Sequence, residues 1–440
     1  MSNPGSHFVI VGAGLAGSLM ACYLGRAGHR VRLIEKRPDP RADGFAGGRS
    51  INLALSTRGI EALRGVGVAD EVLAEAMPMR GRLMHSADGR LSFQRYGTEP
   101  GQVINSISRE GLNIRLLAKA ATYPGVELAF GVRCTDVDPD APSVSVRLAD
   151  GRTEVIPADA VIGADGAFSA VRARMQRRDR FDYQQDFLTH GYKELTIPPS
   201  DDGEFRMESD VLHIWPRGGF MMIALPNADA SYTCTLFWPF EGKNSFAAVR
   251  SESEIDEFFR LKFPDAVPHM PTLVEDYQAN PTSSLVTVRC APWNVAGRVV
   301  LIGDAAHAVV PFYGQGMNAS FDDCEILDRV MGRHPGDLEA AFHDFAVSRR
   351  PDTDALADLA IHNFVEMRDR VASPAFLMRK ALGRAAHRFF PRWFVPIYSL
   401  VTFTTIPYAQ AAERARRQNR GIVLILAILA VVLLVARLLS

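Results

Sequence analysis

The sequence predicts an α/β fold in three parts: a three-layer α/β domain, a β-sheet domain inserted into it, and a helical C-terminal region. Three observations carry that prediction. A short apolar strand runs through a glycine-rich turn into a helix and a second strand at the start of the chain; β-rich stretches extend from about Phe181 to Val288; the pattern becomes helical after Phe312. With 440 residues, 47% of them hydrophobic, the chain has material for two closely packed domains rather than one.

Charge excludes one class of function. Lys+Arg (49) and Asp+Glu (50) nearly cancel, which leaves no electrostatic footprint for nucleic acid and favours an enzyme of small molecules. Cys22, Cys134, Cys234, Cys290 and Cys324 are scattered, with no CxxC and no histidine-rich neighbourhood. Reduced thiols in a cytosolic compartment and no metal site are therefore expected. Met1 to His7 is polar and carries no export or transit signal. Arginine far outnumbers lysine, which suggests a GC-rich bacterial genome.

The first strand covers residues 7 to 11 and enters Gly12-Ala-Gly14-Leu15-Ala-Gly17, which opens a helix to about Ala27; the second strand is Arg30 to Glu35. Gly12 permits the tight bend, Gly14 lets the backbone approach a pyrophosphate, and Gly17 lets helix and strand pack closely. The helix start presents free N–H groups to the diphosphate. Glu35, at the end of the second strand, can accept from both ribose hydroxyls. This frame predicts a dinucleotide site, and by itself it fits FAD and NAD equally.

Two later strands end in an acid: Ala160-Val-Ile-Gly-Ala-Asp165-Gly166, opening a helix, and Arg298-Val-Val-Leu-Ile-Gly303-Asp304. An acid at the C-terminal edge of such a strand faces the ligand crevice, although Asp304 alone would also read as a helix N-cap. With the Gly-rich turn, these segments make the chain resemble the flavoprotein aromatic hydroxylases of the para-hydroxybenzoate hydroxylase type. The resemblance implies bound FAD, with Asp304 on its ribitol chain; a charged acceptor there contributes about 1.5–3 kcal/mol. It also implies Arg109 near the phosphates, Asp165 at the cofactor, and further contacts from Leu15, Lys36, Arg37, Ala54 and Cys134. Pro311-Phe-Tyr-Gly-Gln-Gly316-Met317-Asn318 precedes a helical run, so the N–H groups of Gly316, Met317 and Asn318 should meet the flavin ring.

Several stretches are similar to the kynurenine 3-monooxygenase branch of that family: Gly48-Arg-Ser-Ile-Asn52-Leu-Ala-Leu-Ser56, Met84-His-Ser, His190-Gly-Tyr-Lys-Glu-Leu-Thr-Ile-Pro198, Leu212-His-Ile-Trp-Pro-Arg217 and His362-Asn363-Phe-Val-Glu-Met-Arg. That likeness implies L-kynurenine, NADPH and O2 as substrates and a flavin C4a-hydroperoxide as the hydroxylating species. Arg82 and Tyr96 would grip the amino-acid carboxylate, Asn363 and Tyr398 would complete that end, and Pro311, Phe312 and Tyr313 would wall the aromatic pocket. No general base is expected, because the aryl amine activates the ring. No second Gly-rich motif is visible for NADPH, which should bind transiently at the surface.

Arg82 and Tyr96 carry a geometric expectation. Asp88-Gly89 reads as a hairpin turn, and the two side chains share a face only if the loop is odd, such as Asp88-Gly89-Arg90.

The implied layout is an FAD-binding domain at 1–75, 102–180 and 289–345, a β-sheet substrate domain at 76–101 and 181–288, a helical region at 346–420 and an apolar tail at 421–439. Ile422 to Ala436 is unbroken apolar sequence behind Arg414, Arg416, Arg417 and Arg420. As helix it spans about 22 Å, short of a hydrocarbon core of about 30 Å. Gly421, a snorkelling Arg437, Leu438 and Leu439 bring it to the lower edge of a membrane helix, with the basic flank cytoplasmic. A C-terminal helix docked on the enzyme or on a second copy of it is the alternative. Two other functions share the flavin motifs: a membrane-associated oxidoreductase or hydroxylase of isoprenoids or quinones, and a non-enzymatic flavin-binding anchor or sensor.

Overall fold

The computed structural model describes residues 5–43, 52–99, 101–366, 383, 387–391 and 393–439. His7–Val11 pairs in parallel with Arg30–Glu35 on one side and Ala160–Gly163 on the other. The six-stranded sheet runs Asn294–Val295, Val299–Leu301, Ala160–Gly163, His7–Val11, Arg30–Glu35, Val126–Phe130. Phe8, Val9 and Ile10 are fully buried, as a central strand covered on both faces requires. One cover is helical, with Leu15–Arg26 and Arg109–Ala120 packed together. The other is a three-stranded antiparallel sheet of Arg133–Asp138, Ser143–Arg147 and Thr153–Pro157, whose Val137, Val144, Val146 and Ile156 enter the same core. These are the three expected layers.

A second, seven-stranded sheet runs Ser283–Ala291, Asp182–Ile197, Tyr232–Pro239, Met221–Pro226, Val211–Pro216, Gly81–His85, Leu91–Arg95. One face packs Trp215, Trp238 and Leu236 against the helices Glu252–Lys262 and Leu273–Ala279. Both helices interrupt a stretch whose sequence reads as β-rich. Their local signals prevail: Ser251 accepts from the Glu254 N–H at 3.3 Å while the Glu254 carboxylate accepts from the Ser251 N–H at 2.9 Å, a reciprocal cap. Ile255, Phe258 and Phe259 then supply the buried stripe.

The C-terminal part is helical, with Gly316–Arg333, Leu338–Val365, Ile397–Thr402 and Tyr408–Leu439. Among the described residues no helix is long and apolar enough to cross a membrane. The expected tail continues the backbone of the last helix, and the side chains of 423–430, 432–434 and 437–440 lie outside the described residues.

These helices meet the six-stranded α/β domain through a buried ionic cluster. Arg349 bridges Asp322 at 3.1 Å, Asp323 at 3.0 Å and Asp352 at 3.0 Å, and Arg58 reaches Asp322 at 3.3 Å. Asp352 also accepts from the Ala409 N–H at 3.0 Å, which ties in the last helix. Truncating the central cation would strand three desolvated carboxylates. Arg349→Met is therefore expected to cost about 3–5 kcal/mol, read as a lower melting temperature by calorimetry; an unchanged melting temperature would refute this.

Candidate active site

The three layers and the seven-stranded sheet enclose a continuous cavity of about 600 Å³. At one end lies the Gly-rich turn. Gly12 has φ +102°, and a Cβ there would stand 2.6 Å from the Ala164 carbonyl oxygen; a Cβ on Gly17 would stand 1.9 Å from the Gly12 carbonyl. Both positions are closed by backbone. Gly14 is different, since a Cβ on it would meet nothing within 4 Å, and Gly14 lines the cavity beside Leu15, Glu35, Arg37 and Arg109. An extended group can therefore approach the backbone there and meet the start of the helix.

Glu35 is buried and partly committed: it accepts from the Ala13 N–H at 3.0 Å and from the Arg37 guanidinium at 3.0 Å. Lys36, Ala54, Cys134, Asp165, Asp304, Gly316 and Met317 also line the cavity. Asp165 caps the following helix, accepting from the Ala170 N–H at 2.7 Å and from the Ser169 hydroxyl at 2.5 Å. Burial pushes the Cys134 thiol up to about 12, with Asp165 and Asp136 adding to the effect, so it is neutral.

Asp304 begins the short helix Asp304–His307 after Gly303, whose φ of +58° suits glycine. The Gly303 N–H donates to Asp323 at 2.8 Å, and His307 bonds the same carboxylate oxygen at 2.5 Å. The buried ionic cluster thus aims Asp304 at the cavity. Burial raises the Asp304 carboxyl, while His307 and Arg109 pull it down; a polyol hydroxyl donating to it would favour the ionised form further.

Gly314 turns with φ +68° into the helix Gly316–Arg333. The first-turn N–H groups of a helix lack intrahelical acceptors, and Gln315, Gly316 and Met317 face the cavity. Asn318 and Gly17 do not line it. The Asn318 amide is spent on main chain, accepting from the Ser56 N–H at 2.9 Å and donating to the Ala54 and Gly314 carbonyls at 2.8 and 2.9 Å.

At the other end stands the hairpin of Gly81–His85 and Leu91–Arg95. Arg82 opposes Gln94, and the loop is Ala87-Asp88-Gly89, closed by the Ser86 N–H to the Arg90 carbonyl at 3.0 Å, with Gly89 at φ +80°. It starts one residue earlier than the example read from the sequence, yet it is odd, and Arg82 and Tyr96 share a face. The Arg82 guanidinium carbon lies 5.3 Å from the Tyr96 ring centre and 4.8 Å from that of Tyr398, and the two rings stack at 5.6 Å. Burial raises both phenols, opposed by Arg82, so they remain neutral donors. Arg82 Nε is buried without a partner among the described residues.

The expected wall of Pro311, Phe312 and Tyr313 lines the cavity. Asn363 does not; its amide donates to the Phe312 carbonyl at 2.6 Å and holds the wall from outside. The motif around Asn363 extends past 366, and residues 48–51 of the other quoted stretch likewise lie outside the described residues. The sequence reading missed the floor: Met221, Ile223 and Leu225, with Thr235 and Phe237 opposite them in register. Their period-2 alternation was the available signal.

Residues 6–333 match the family described as "FAD binding domain". The chain is similar over its length to solved flavoprotein folds: 2-methyl-3-hydroxypyridine-5-carboxylic acid oxygenase in a tetrameric form (TM-score 0.68, 23% identity, 89% of this chain and 99% of that one) and P. aeruginosa PqsL in complex with 2-aminobenzoylacetate (0.67, 23%, 83% and 97%). Fold and site together define an FAD-dependent monooxygenase. Among curated proteins, the chain is 49% identical to the kynurenine 3-monooxygenase of Myxococcus xanthus, covering 92% of this chain and 87% of that protein. The corresponding enzymes of Stenotrophomonas maltophilia (48%, 93% and 90%) and Dictyostelium discoideum (44%, 92% and 89%) are similar too. The chain belongs to the kynurenine 3-monooxygenase family.

The glycines separate by function. Gly14→Val should leave the flavin-free protein within about 1 kcal/mol of the parent but weaken FAD binding at least about tenfold. Gly17→Ala, which overpacks backbone, should cost about 1–3 kcal/mol of the flavin-free fold itself. Unfolding of the apoprotein with FAD titration checks both, and equal loss of stability in the two variants would contradict the assignment.

Proposed function

We propose that the chain hydroxylates L-kynurenine to 3-hydroxy-L-kynurenine, with NADPH and O2 as co-substrates. One oxygen atom enters the ring beside the aniline nitrogen and the other leaves as water. The observation that carries this is Arg82, a half-buried cation that lines the cavity between the Tyr96 and Tyr398 rings and makes no ion pair with a carboxylate among the described residues. A partly desolvated charge is costly unless an anion meets it. An amino-acid carboxylate fits a guanidinium flanked by two phenol donors, and the names of the curated relatives point to kynurenine.

In this reading residues 1–75, 102–180 and 289–345 serve the cofactor, and 76–101 with 181–288 serve the substrate. Gly14, Glu35 and Arg109 would hold the nucleotide and pyrophosphate, Asp304 the ribitol chain, and the first turn at Gly316 and Met317 the flavin ring. Bound FAD supplies the redox chemistry, taking electrons from NADPH and activating O2. The chain's own residues do the rest. Arg82, Tyr96 and Tyr398 anchor the carboxylate far from the reacting edge, while Phe312, Phe237, Met221 and Ile223 bury the aryl ring and exclude water. The helix start at Gly316 favours negative charge on the flavin edge it meets. No side chain is assigned as general base.

We also propose membrane attachment through the apolar segment 421–439, with the catalytic part on the cytoplasmic side. Phe389, Phe390 and Trp393 are 72%, 65% and 83% exposed, and the Trp393 carbonyl accepts from the Gln418 amide at 3.1 Å. Aromatic rings beside the basic start of an apolar helix suit a lipid interface. The full chain should co-sediment with anionic vesicles and a chain ending at 421 should not; equal sedimentation of the two would exclude the tail as anchor.

Arg82→Ala should keep its FAD and raise KM for kynurenine by about 10- to 150-fold, the loss of charged hydrogen bonds of about 1.5–3 kcal/mol. A parent enzyme whose product from kynurenine, NADPH and air has not gained one oxygen atom by mass analysis would overturn the function. An Arg82→Ala variant with unchanged KM would favour an apolar isoprenoid or quinone substrate.

A further inference from the structure

Behind Arg82, on the opposite face of its strand, lies a chain of polar groups that the proposed chemistry does not use. His85 Nδ1 is 2.6 Å from Asp265, His85 Nε2 is 2.9 Å from His213 Nδ1, and His213 Nε2 is 2.8 Å from the Glu208 carbonyl oxygen. Both imidazoles are buried, whereas the Asp265 side chain is 37% exposed.

A carbonyl oxygen only accepts, so His213 Nε2 carries a hydrogen, and burial, which pushes His213 down to about 4 with the Glu208 carbonyl opposing, keeps that ring neutral. At the other end Asp265 accepts from Trp215 Nε1 at 2.9 Å. Burial works to raise the Asp265 carboxyl, but its hydrogen bonds with His85 and Trp215 prevail and bring it down to about 2. The His85 ring bridges the two ends and stacks on Trp215, with centres 4.2 Å apart and planes at 27°. The Arg217 guanidinium donates to the His85 carbonyl at 2.8 Å.

The position of this group matters because the strand that bears Arg82 is weakly held. Gly81–His85 has only four paired positions, Gly81 to Met84, with Val211–Ile214, and its other neighbour, Leu91–Arg95, is a mostly exposed edge strand. Arg82 lines the cavity from this strand as a half-buried charge between two phenol rings. His85 lies one residue beyond the last of those pairs and fastens the strand end from the other side, through its side chain to the segment after Glu252–Lys262 and through its carbonyl to Arg217.

We propose that the hydrogen-bonded chain from Asp265 through His85 to His213 is a positioning device for Arg82. The kinetic part of its test rests on the substrate reading given above; the hydrogen-exchange part does not.

Amide hydrogen exchange in the substrate-free holoenzyme should be severalfold faster across residues 81–85 in His85→Gln and in Asp265→Asn than in the parent. Unchanged exchange there overturns the clamp. Steady-state kinetics should show KM for kynurenine raised about tenfold in each variant, equivalent to ~1.4 kcal/mol, with kcat and FAD content within about twofold, and the double variant no worse than the worse single one. Unchanged KM, or kcat and FAD content falling in step with it, overturns the positioning role. Asp265→Asn keeps the shape of a partly exposed side chain, so it decides the matter even if His85→Gln folds poorly. Should the parent enzyme not turn over kynurenine, the function fails while the hydrogen-exchange result still decides the clamp.

Discussion

The carboxylate of Asp323 is the point on which the site depends. It is fully buried and holds three things at once: the Gly303 N–H, the His307 ring and the Arg349 guanidinium. Through the first it fixes the glycine turn that presents Asp304; through the last it joins the helix Leu338–Val365. Burial opposes its charge, but His307, Arg349 and the Gly303 N–H together keep the carboxyl below its ordinary value. The cluster extends by Arg58, which stacks 4.0 Å over the Tyr408 ring, and by the Tyr408 hydroxyl, which donates to Gln315 at 3.1 Å, next to the helix start at Gly316. The turn at Asp304, the helix start and the C-terminal helices are therefore parts of one charged unit. Replacing buried ion pairs by apolar residues is often neutral for stability, so what this cluster contributes is a fixed geometry of Asp304 and Gly316 relative to each other.

The polar groups around the cavity divide by how fully the protein uses them. Asn318, Asn52 and Asp165 have their hydrogen bonds met by main chain or neighbouring side chains. They shape the cavity walls and would do so with or without a ligand. Arg82 is of the other kind, since its Nε has no partner among the described residues. Gly14 is its counterpart in backbone, an open approach with no atom in the way. Gly14 and Arg82 stand at the two ends of the cavity, which is where a cofactor diphosphate and a substrate carboxylate would bind.

What the sequence disclosed follows from how local each signal is. Gly12, Gly14 and Gly17 act within one turn, and the strand and helix that frame them are periodic, so their geometry could be argued directly. Arg82 and Tyr96 could be tied together by loop parity, because a hairpin carries its register in its own sequence. The floor residues Met221, Ile223 and Leu225 showed their alternation, but alternation does not say whether that face meets a core or a cavity. The helices at Glu252 and Leu273 were missed because the stretch was read as a whole, although Ser251 and Glu254 carried a capping signal. The Asp323 cluster and the His85 chain were out of reach: their partners lie across the fold, as with Arg58 and Asp322, 264 positions apart, or His85 and Asp265, 180 apart.

Both ends of the cavity use one device, a ligand-facing group held from behind by a hydrogen-bonded carboxylate. At the cofactor end, Asp323 and Arg349 stand behind Gly303 and Asp304. At the substrate end, Asp265 and His85 stand behind Arg82. The two supports differ in strength for a physical reason. The first is fully enclosed and shared among several helices, so loosening it would disturb the fold. The second sits at the end of a short ladder beside an edge strand, with a carboxylate open to solvent, so it can yield without unfolding the rest. An aromatic amino acid must enter and its hydroxylated product must leave at every turnover, whereas the flavin stays. A rigid support behind the resident cofactor and a lighter one behind the exchanging ligand match those two demands.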